Sequence, residues 1–193
     1  MQAPAPLELL GTALGLLNLW LTLRQNIWCW PVGIACVLCY ISIFYDARLY
    51  SDLSLQIAYV GLQLYGWWHW WQQGRAGVGI AMVSTAPITR LGTRQCIQWL
   101  CATLAAALGL GTLMATYTQA DLPYVDALPT AMSLTAQWLQ ARKVLDSWLI
   151  FIAANLIFIC IYAVKGLYVT IILYAVSSVF AVFGWRVWRA RAV

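Results

Sequence analysis

Apolar residues run through the chain in seven stretches of roughly 17 to 25 positions, the length a helix needs to cross about 30 Å of hydrocarbon. They cover residues 7–23, 27–45, 51–72, 95–117, 125–141, 147–164 and 167–188, and each predicts a membrane helix. The first stretch lacks the features of a removable signal: Met1 to Leu7 carries no positive charge and no small-residue cleavage pattern follows, so it reads as a retained helix. The longest polar break is QQGRAGVGIAMVSTAPITRLGTRQ, Gln72 to Gln95, whose Gly, Pro, Ser and Thr mark it as the main linker.

Sliding the chain along itself by 118 residues aligns Leu49 to Trp70 with Leu167 to Trp188 without a gap. Gly66, Trp67 and Trp70 fall on Gly184, Trp185 and Trp188. The match extends backwards through Trp30 with Trp148, Arg24 with Arg142 and Trp20 with Trp138. Each repeat therefore holds three helices, an odd number, and the fourth stretch has no counterpart and restores the chain direction. The expected fold is an all-α integral membrane protein in a 3+1+3 arrangement, with parallel triple-helix repeats as in SWEET-type transporters. Its expected parts are a first repeat over 1–72, a cytoplasmic linker over 73–94, a linker helix over 95–120 and a second repeat over 121–193.

Composition agrees with the pattern: 63% of the 193 residues are hydrophobic and 9% are charged. The net charge of +5 would suggest nucleic acid in a soluble protein, but here its distribution is informative, and no nucleic-acid partner is expected. The ends of stretches 1, 3, 5 and 7 carry Arg24; Arg75, Arg90 and Arg94; Arg142 and Lys143; and Arg186, Arg189 and Arg191. The opposite ends carry Arg48 and Lys165 alone. This asymmetry predicts a cytoplasmic C-terminus and an external N-terminus. Cys36 and Cys39 form a C-x-x-C without a second pair or a nearby histidine, so the reading is small-residue helix packing rather than zinc, and no metal or cofactor is expected.

The only histidine, His69, sits among four tryptophans in LYGWWHWW, Leu64 to Trp71. Its repeat partner is Val187 whereas Trp67 and Trp70 recur, which favours an aromatic belt at the membrane surface over a catalytic box. Trp30 precedes Pro31 and Gly33, consistent with a helix start. Within the apolar stretches, Asn18, Gln56, Gln63, Gln137 and Asn155 are the expensive polar residues. Their repeat partners are Ala136, Tyr174, Ala181, Leu19 and Val37, so a symmetric scaffold carries asymmetric polarity, as one asymmetric small molecule requires. Glu8, Asp46, Asp52, Asp121, Asp126 and Asp146 all fall at helix ends or in loops, and no P-loop is present. Proton or sodium coupling and ATP hydrolysis are not expected, nor are catalytic residues.

The segments YSDLSLQ-x6-LYGWWHW at Tyr50 to Trp70, DAL-x4-SLTAQWLQARK at Asp126 to Lys143, SWLIFIAAN at Ser147 to Asn155 and KGLY at Lys165 to Tyr168 resemble the PnuC family of vitamin transporters over nearly the whole chain. The resemblance implies facilitated diffusion of nicotinamide riboside across a bacterial inner membrane, with thiamine or riboflavin as the alternatives. It also implies trapping by a cytoplasmic vitamin kinase and a homo-oligomer, a trimer in the family. One departure stands out: Ser147-Trp148-Leu149-Ile150-Phe151 occupies the place where many nicotinamide riboside carriers read N-W-L-x-W. A flat ring with a polar end calls for aromatic faces beside amides. The expected substrate contacts are therefore Gln56, Tyr59 and Gln63, which share a helix face, with Gln137, Trp148 and Asn155. Two rival classes are an intramembrane enzyme, which lacks a nucleophile–base pair or metal ligands at membrane depth, and a non-transporting membrane subunit, which has no need of amides in both repeats.

Overall fold

Every apolar stretch is helical in the structure, a computed structural model describing residues 5–46, 50–75, 87–117, 122–164, 166 and 168–192. The helices are α1 (Ala5–Leu23), α2 (Cys29–Asp46), α3 (Tyr50–Arg75), α4 (Thr93–Tyr117), α5 (Pro123–Ala141), α6 (Ser147–Val164) and α7 (Tyr168–Arg189). Arg48, Lys165 and Asp121, and residues 76–86 of the expected linker, lie outside the described residues. The helix α2 starts two residues later than expected, because Asn26 organises the turn before it. Its side-chain carbonyl accepts the Trp28 N–H at 3.0 Å, and its backbone carbonyl accepts that of Cys29 at 3.0 Å. At the head of α4, Gln95 reaches back to the Gly92 N–H at 3.1 Å, the reciprocal arm of a capping box.

The chain divides into two compact units, Met1–Ala86 and Pro87–Val193. In the first, α2 packs on both α1 and α3; in the second, α4, α5, α6 and α7 pack in sequence. Small residues bring the helices together, as association in lipid requires. Gly15 sits 3.6 Å from the Cys36 sulfur by the position its Cβ would take, and the Cys36 thiol donates to the Gly11 carbonyl at 3.2 Å. The C-x-x-C thus packs α2 on α1. In α4 the buried residues are Thr103, Ala107 and Gly111, a stripe with a spacing of four; Thr103 and Thr135 bring their hydroxyls to 2.9 Å and tie α4 to α5. Leu100, Leu104 and Leu108 on the other faces of α4 are exposed. Such a surface suits lipid, and Thr93–Tyr117, Ser147–Val164 and Ile171–Arg189 are each long and apolar enough to cross a membrane. Shorter apolar helical stretches cover Leu9–Leu23 and Cys29–Ile43.

The turn after α1 recurs bond for bond after α5. Asn26 N–H donates to the Leu21 carbonyl at 3.0 Å and Val144 N–H to the Leu139 carbonyl at 3.0 Å. Trp30 N–H donates to Ile27 at 3.3 Å and Trp148 N–H to Leu145 at 3.2 Å. Gln25 and Lys143 hold matching left-handed φ values of 55° and 56°. Arg24 lies over Trp20 at 5.0 Å and Arg142 over Trp138 at 4.8 Å. Conformation is thus repeated where side chains are not: Lys143, expected among the surface cations, is 1% exposed.

The end of the expected linker is also packed. Thr89 N–H donates to the Lys143 carbonyl at 3.1 Å, and Leu145 N–H to the Thr89 carbonyl at 2.9 Å. Asp146 accepts the Leu91 N–H at 2.8 Å, while Ile88 bridges Ala192 beyond α7 and is 2% exposed. Residues 88–91 form a strap joining the α5–α6 turn to the end of α7. Within the stretch expected as a linker over 73–94, α3 continues to Arg75, α4 begins at Thr93 and apolar Ile88 is buried.

Candidate binding site

The first turn of α2 places the Trp30 indole on Gly66 of α3, where any β-carbon would enter the ring. Trp70, one turn further along α3, meets that indole edge to face at 5.3 Å and 86°. In the second unit Trp148 of α6 lies on Gly184 of α7, whose Cβ would fall 2.7 Å from the ring. Trp188 closes it at 5.4 Å and 87°. Trp70 and Trp188 are fully buried, and Trp30 and Trp148 nearly so. This corrects the expectation that the G-W-x-x-W ends are surface belts. Glycine lets the helices approach, and the second tryptophan fills the space beside the first. The belt reading describes Trp67, Trp68 and Trp71 instead, which are exposed and with Leu64 line an apolar cleft.

His69 belongs to the same surface: it stacks on Tyr65 at 5.7 Å with 12° between planes. Gln73 places its Nε2 2.9 Å from His69 Nε2. It is held in a ladder along α3.

Of the six expected contact residues, Gln56, Tyr59 and Gln63 lie on one face of α3 that turns inwards while Ile57, Ala58 and Gly61 face out. Gln63 is the most enclosed of them, at 7% exposure. In the second unit Gln137 is half-buried on α5. Trp148 and Asn155, two turns apart on α6, are buried at 1% and 8% exposure. The structure therefore gathers the first three on one helix face, and Trp148 with Asn155 on one face of another.

Two residues outside that set complete the surroundings of Gln63. A β-carbon on Gly33 of α2 would fall 2.5 Å from Asn18 Nδ2 and 2.6 Å from Gln63 Nε2, so a larger residue there would displace both amides. Asn18 Nδ2 donates to the Cys29 carbonyl at 2.6 Å. Gln63 Oε1, Trp30 Nε1 and Trp148 Nε1 are buried without a hydrogen-bond partner among the described residues. Gly33 was readable from the repeat: Asn18, Gly33 and Gln63 stand opposite Ala136, Phe151 and Ala181. Two amides and a glycine are exchanged for two alanines and a phenylalanine, a coupled change of size at three positions.

Comparison with known proteins follows the same lines. A crystal structure of the vitamin B3 transporter PnuC superposes with a TM-score of 0.76 at 20% identity, covering 95% of this chain and 80% of that one. The nicotinamide riboside transporter PnuC of Escherichia coli K12 is 25% identical over 94% of this chain and 84% of its own length. The riboflavin/roseoflavin transporter RibM of Streptomyces davaonensis is 24% identical over 96% of this chain and 85% of its own. The profile of the nicotinamide mononucleotide transporter family matches residues 5–190. With that match spanning all seven helices, the chain belongs to this family of membrane transporters.

Proposed function

We propose that the chain carries nicotinamide riboside across a bacterial inner membrane by facilitated diffusion, and that a cytoplasmic kinase traps it by phosphorylation. The observation that carries this reading is the family match over residues 5–190. It is supported by the likeness to the E. coli riboside transporter across 94% of the chain. The contacts we assign to the vitamin are Gln56, Tyr59 and Gln63 in the first repeat and Gln137, Trp148 and Asn155 in the second. Indole and phenol faces suit the cationic pyridinium ring, an attraction worth about 0.5 to 2 kcal/mol depending on desolvation. Amides suit the ribose hydroxyls.

The acidic residues of the sequence fall at helix ends or in loops. This supports uptake down the vitamin gradient with no ion or ATP requirement at the transporter. The basic residues support an external N-terminus and a cytoplasmic C-terminus, with the two repeats parallel in the membrane, and the family resemblance implies a homotrimer.

Riboflavin is the second reading, favoured by the near-equal likeness to RibM. Calorimetric titration of the purified protein with each vitamin separates the two. Tight binding of the riboside with none of riboflavin is the expected result; the reverse assigns the chain to flavin.

A further inference from the structure

The seam between α2 and α3 contains a buried donor and a buried acceptor that nothing among the described residues satisfies: Trp30 Nε1–H and Gln63 Oε1. Their places are related by the antiparallel register of the two helices. Trp30 lies opposite Gly66 and, three residues on, Gly33 lies opposite Gln63, three residues back. Three residues advance a helix by about 4.5 Å. Two hydrogen bonds of about 2.8 Å meeting at one oxygen span a separation of this size. Both side chains are more than nine-tenths buried, Trp30 at 2% and Gln63 at 7% exposure. An unsatisfied buried polar group is costly, and two on adjacent layers of one seam call for a common partner.

The chemistry of that partner is restricted. It must accept from an indole N–H and donate to an amide carbonyl through a group small enough for the close seam at Gly33. A carboxylate only accepts, and an ammonium only donates. A hydroxyl does both at one atom. We infer that the α2–α3 seam of the first repeat is a hydroxyl-binding subsite formed by Trp30 Nε1 and Gln63 Oε1, with Gly33 providing the room and Asn18 flanking it. The hydroxyl belongs either to the transported molecule or to a water molecule. The second unit lacks this subsite: Trp148 keeps its indole N–H, but Ala181 replaces the acceptor and Phe151 replaces the glycine. Polarity of this kind therefore belongs to one repeat only.

The test is a double-mutant cycle of Trp30→Phe and Gln63→Leu, read as riboside affinity and as the unfolding midpoint of the purified protein. The ligands are nicotinamide riboside and analogues in which one ribose hydroxyl is replaced by hydrogen. If the hydroxyl is the substrate's, each single change weakens riboside binding about tenfold. The double change is then no worse than either single one, and one deoxy analogue binds all four proteins alike. If it is water's, each variant lowers the midpoint, the double variant lowers it no further, and no deoxy analogue binds the four proteins alike. Additive losses in both readings overturn the subsite. Should Gln63→Leu not fold, the combination Asn18→Ala, Gly33→Phe, Gln63→Ala, which copies the second repeat, takes its place in the cycle. The substrate arm rests on the proposed function; the stability arm does not, so absence of riboside binding to the parent protein counts against that function alone.

Discussion

Trp148 and Trp188 meet edge to face at 5.4 Å and 87°, and Trp30 and Trp70 reproduce the arrangement at 5.3 Å and 86°. In each unit a glycine on the facing helix receives the first indole, and the second indole is buried against it. This is where the internal repeat becomes a packing rule: Trp30, Gly66 and Trp70 recur at an offset of 118 residues as Trp148, Gly184 and Trp188.

Gly66→Ala and Gly184→Ala are expected to destabilise the protein, each by about 1 to 3 kcal/mol, because the new methyl group enters a tryptophan ring. Gly61→Ala and Gly109→Ala, where a β-carbon meets nothing within 4 Å, should instead stabilise by about 0.5 to 1 kcal/mol through helix propensity. Thermal unfolding in one detergent checks the opposite signs.

Removing the acceptor for the Leu91 N–H should loosen the strap. Asp146→Ala is expected to cost about 0.5 to 1.5 kcal/mol and to speed hydrogen exchange in the segment of residues 89–91. Asp146→Asn keeps a carbonyl acceptor and should change both readings less. Exchange followed by mass spectrometry distinguishes them.

In uptake assays, Gln56→Ala and Asn155→Ala should each weaken the apparent affinity for the vitamin by about five- to a hundredfold, the loss expected for a buried hydrogen bond to ligand. His69→Ala should have little effect, since its ring is engaged along the α3 surface by Tyr65 and Gln73. The converse pattern would move the site to the tryptophan cluster at the end of α3.

The helices themselves were legible from hydropathy, since α6 spans the stretch expected for it and α1, α2, α3, α4, α5 and α7 differ by a few residues. Offset matching also pointed to the tryptophans and glycines that form the paired contacts. Burial was not legible at Trp70 and Trp188, because an indole near a helix end reads alike whether it faces headgroups or another indole; only the register of α2 on α3 and α6 on α7 decides. Lys143 and Ile88 were hidden for a similar reason. A cation after a helix and an isoleucine in a polar linker carry no local sign of the strap that covers them. Gly33 was visible in principle, through the three-position exchange with Phe151, Ala136 and Ala181, but its meaning depended on knowing that Asn18 and Gln63 converge there.

Orientation has a direct readout. Single cysteines placed at Arg90 and Arg191, in a background without the native ones, are expected to react with a membrane-impermeant maleimide only in inside-out vesicles. Labelling of both from the outside would reverse the topology, and labelling from opposite sides would exclude parallel repeats.

The central claim is carriage of nicotinamide riboside without energy coupling, and uptake of labelled riboside into vesicles reconstituted with the purified protein tests it most directly. Internal label should rise to the external concentration and stop, with or without sodium and proton gradients. It should exceed that level only when a riboside kinase and ATP are enclosed. Accumulation above the external concentration without kinase, abolished by an ionophore, would contradict the account, as would no uptake beyond that of empty vesicles.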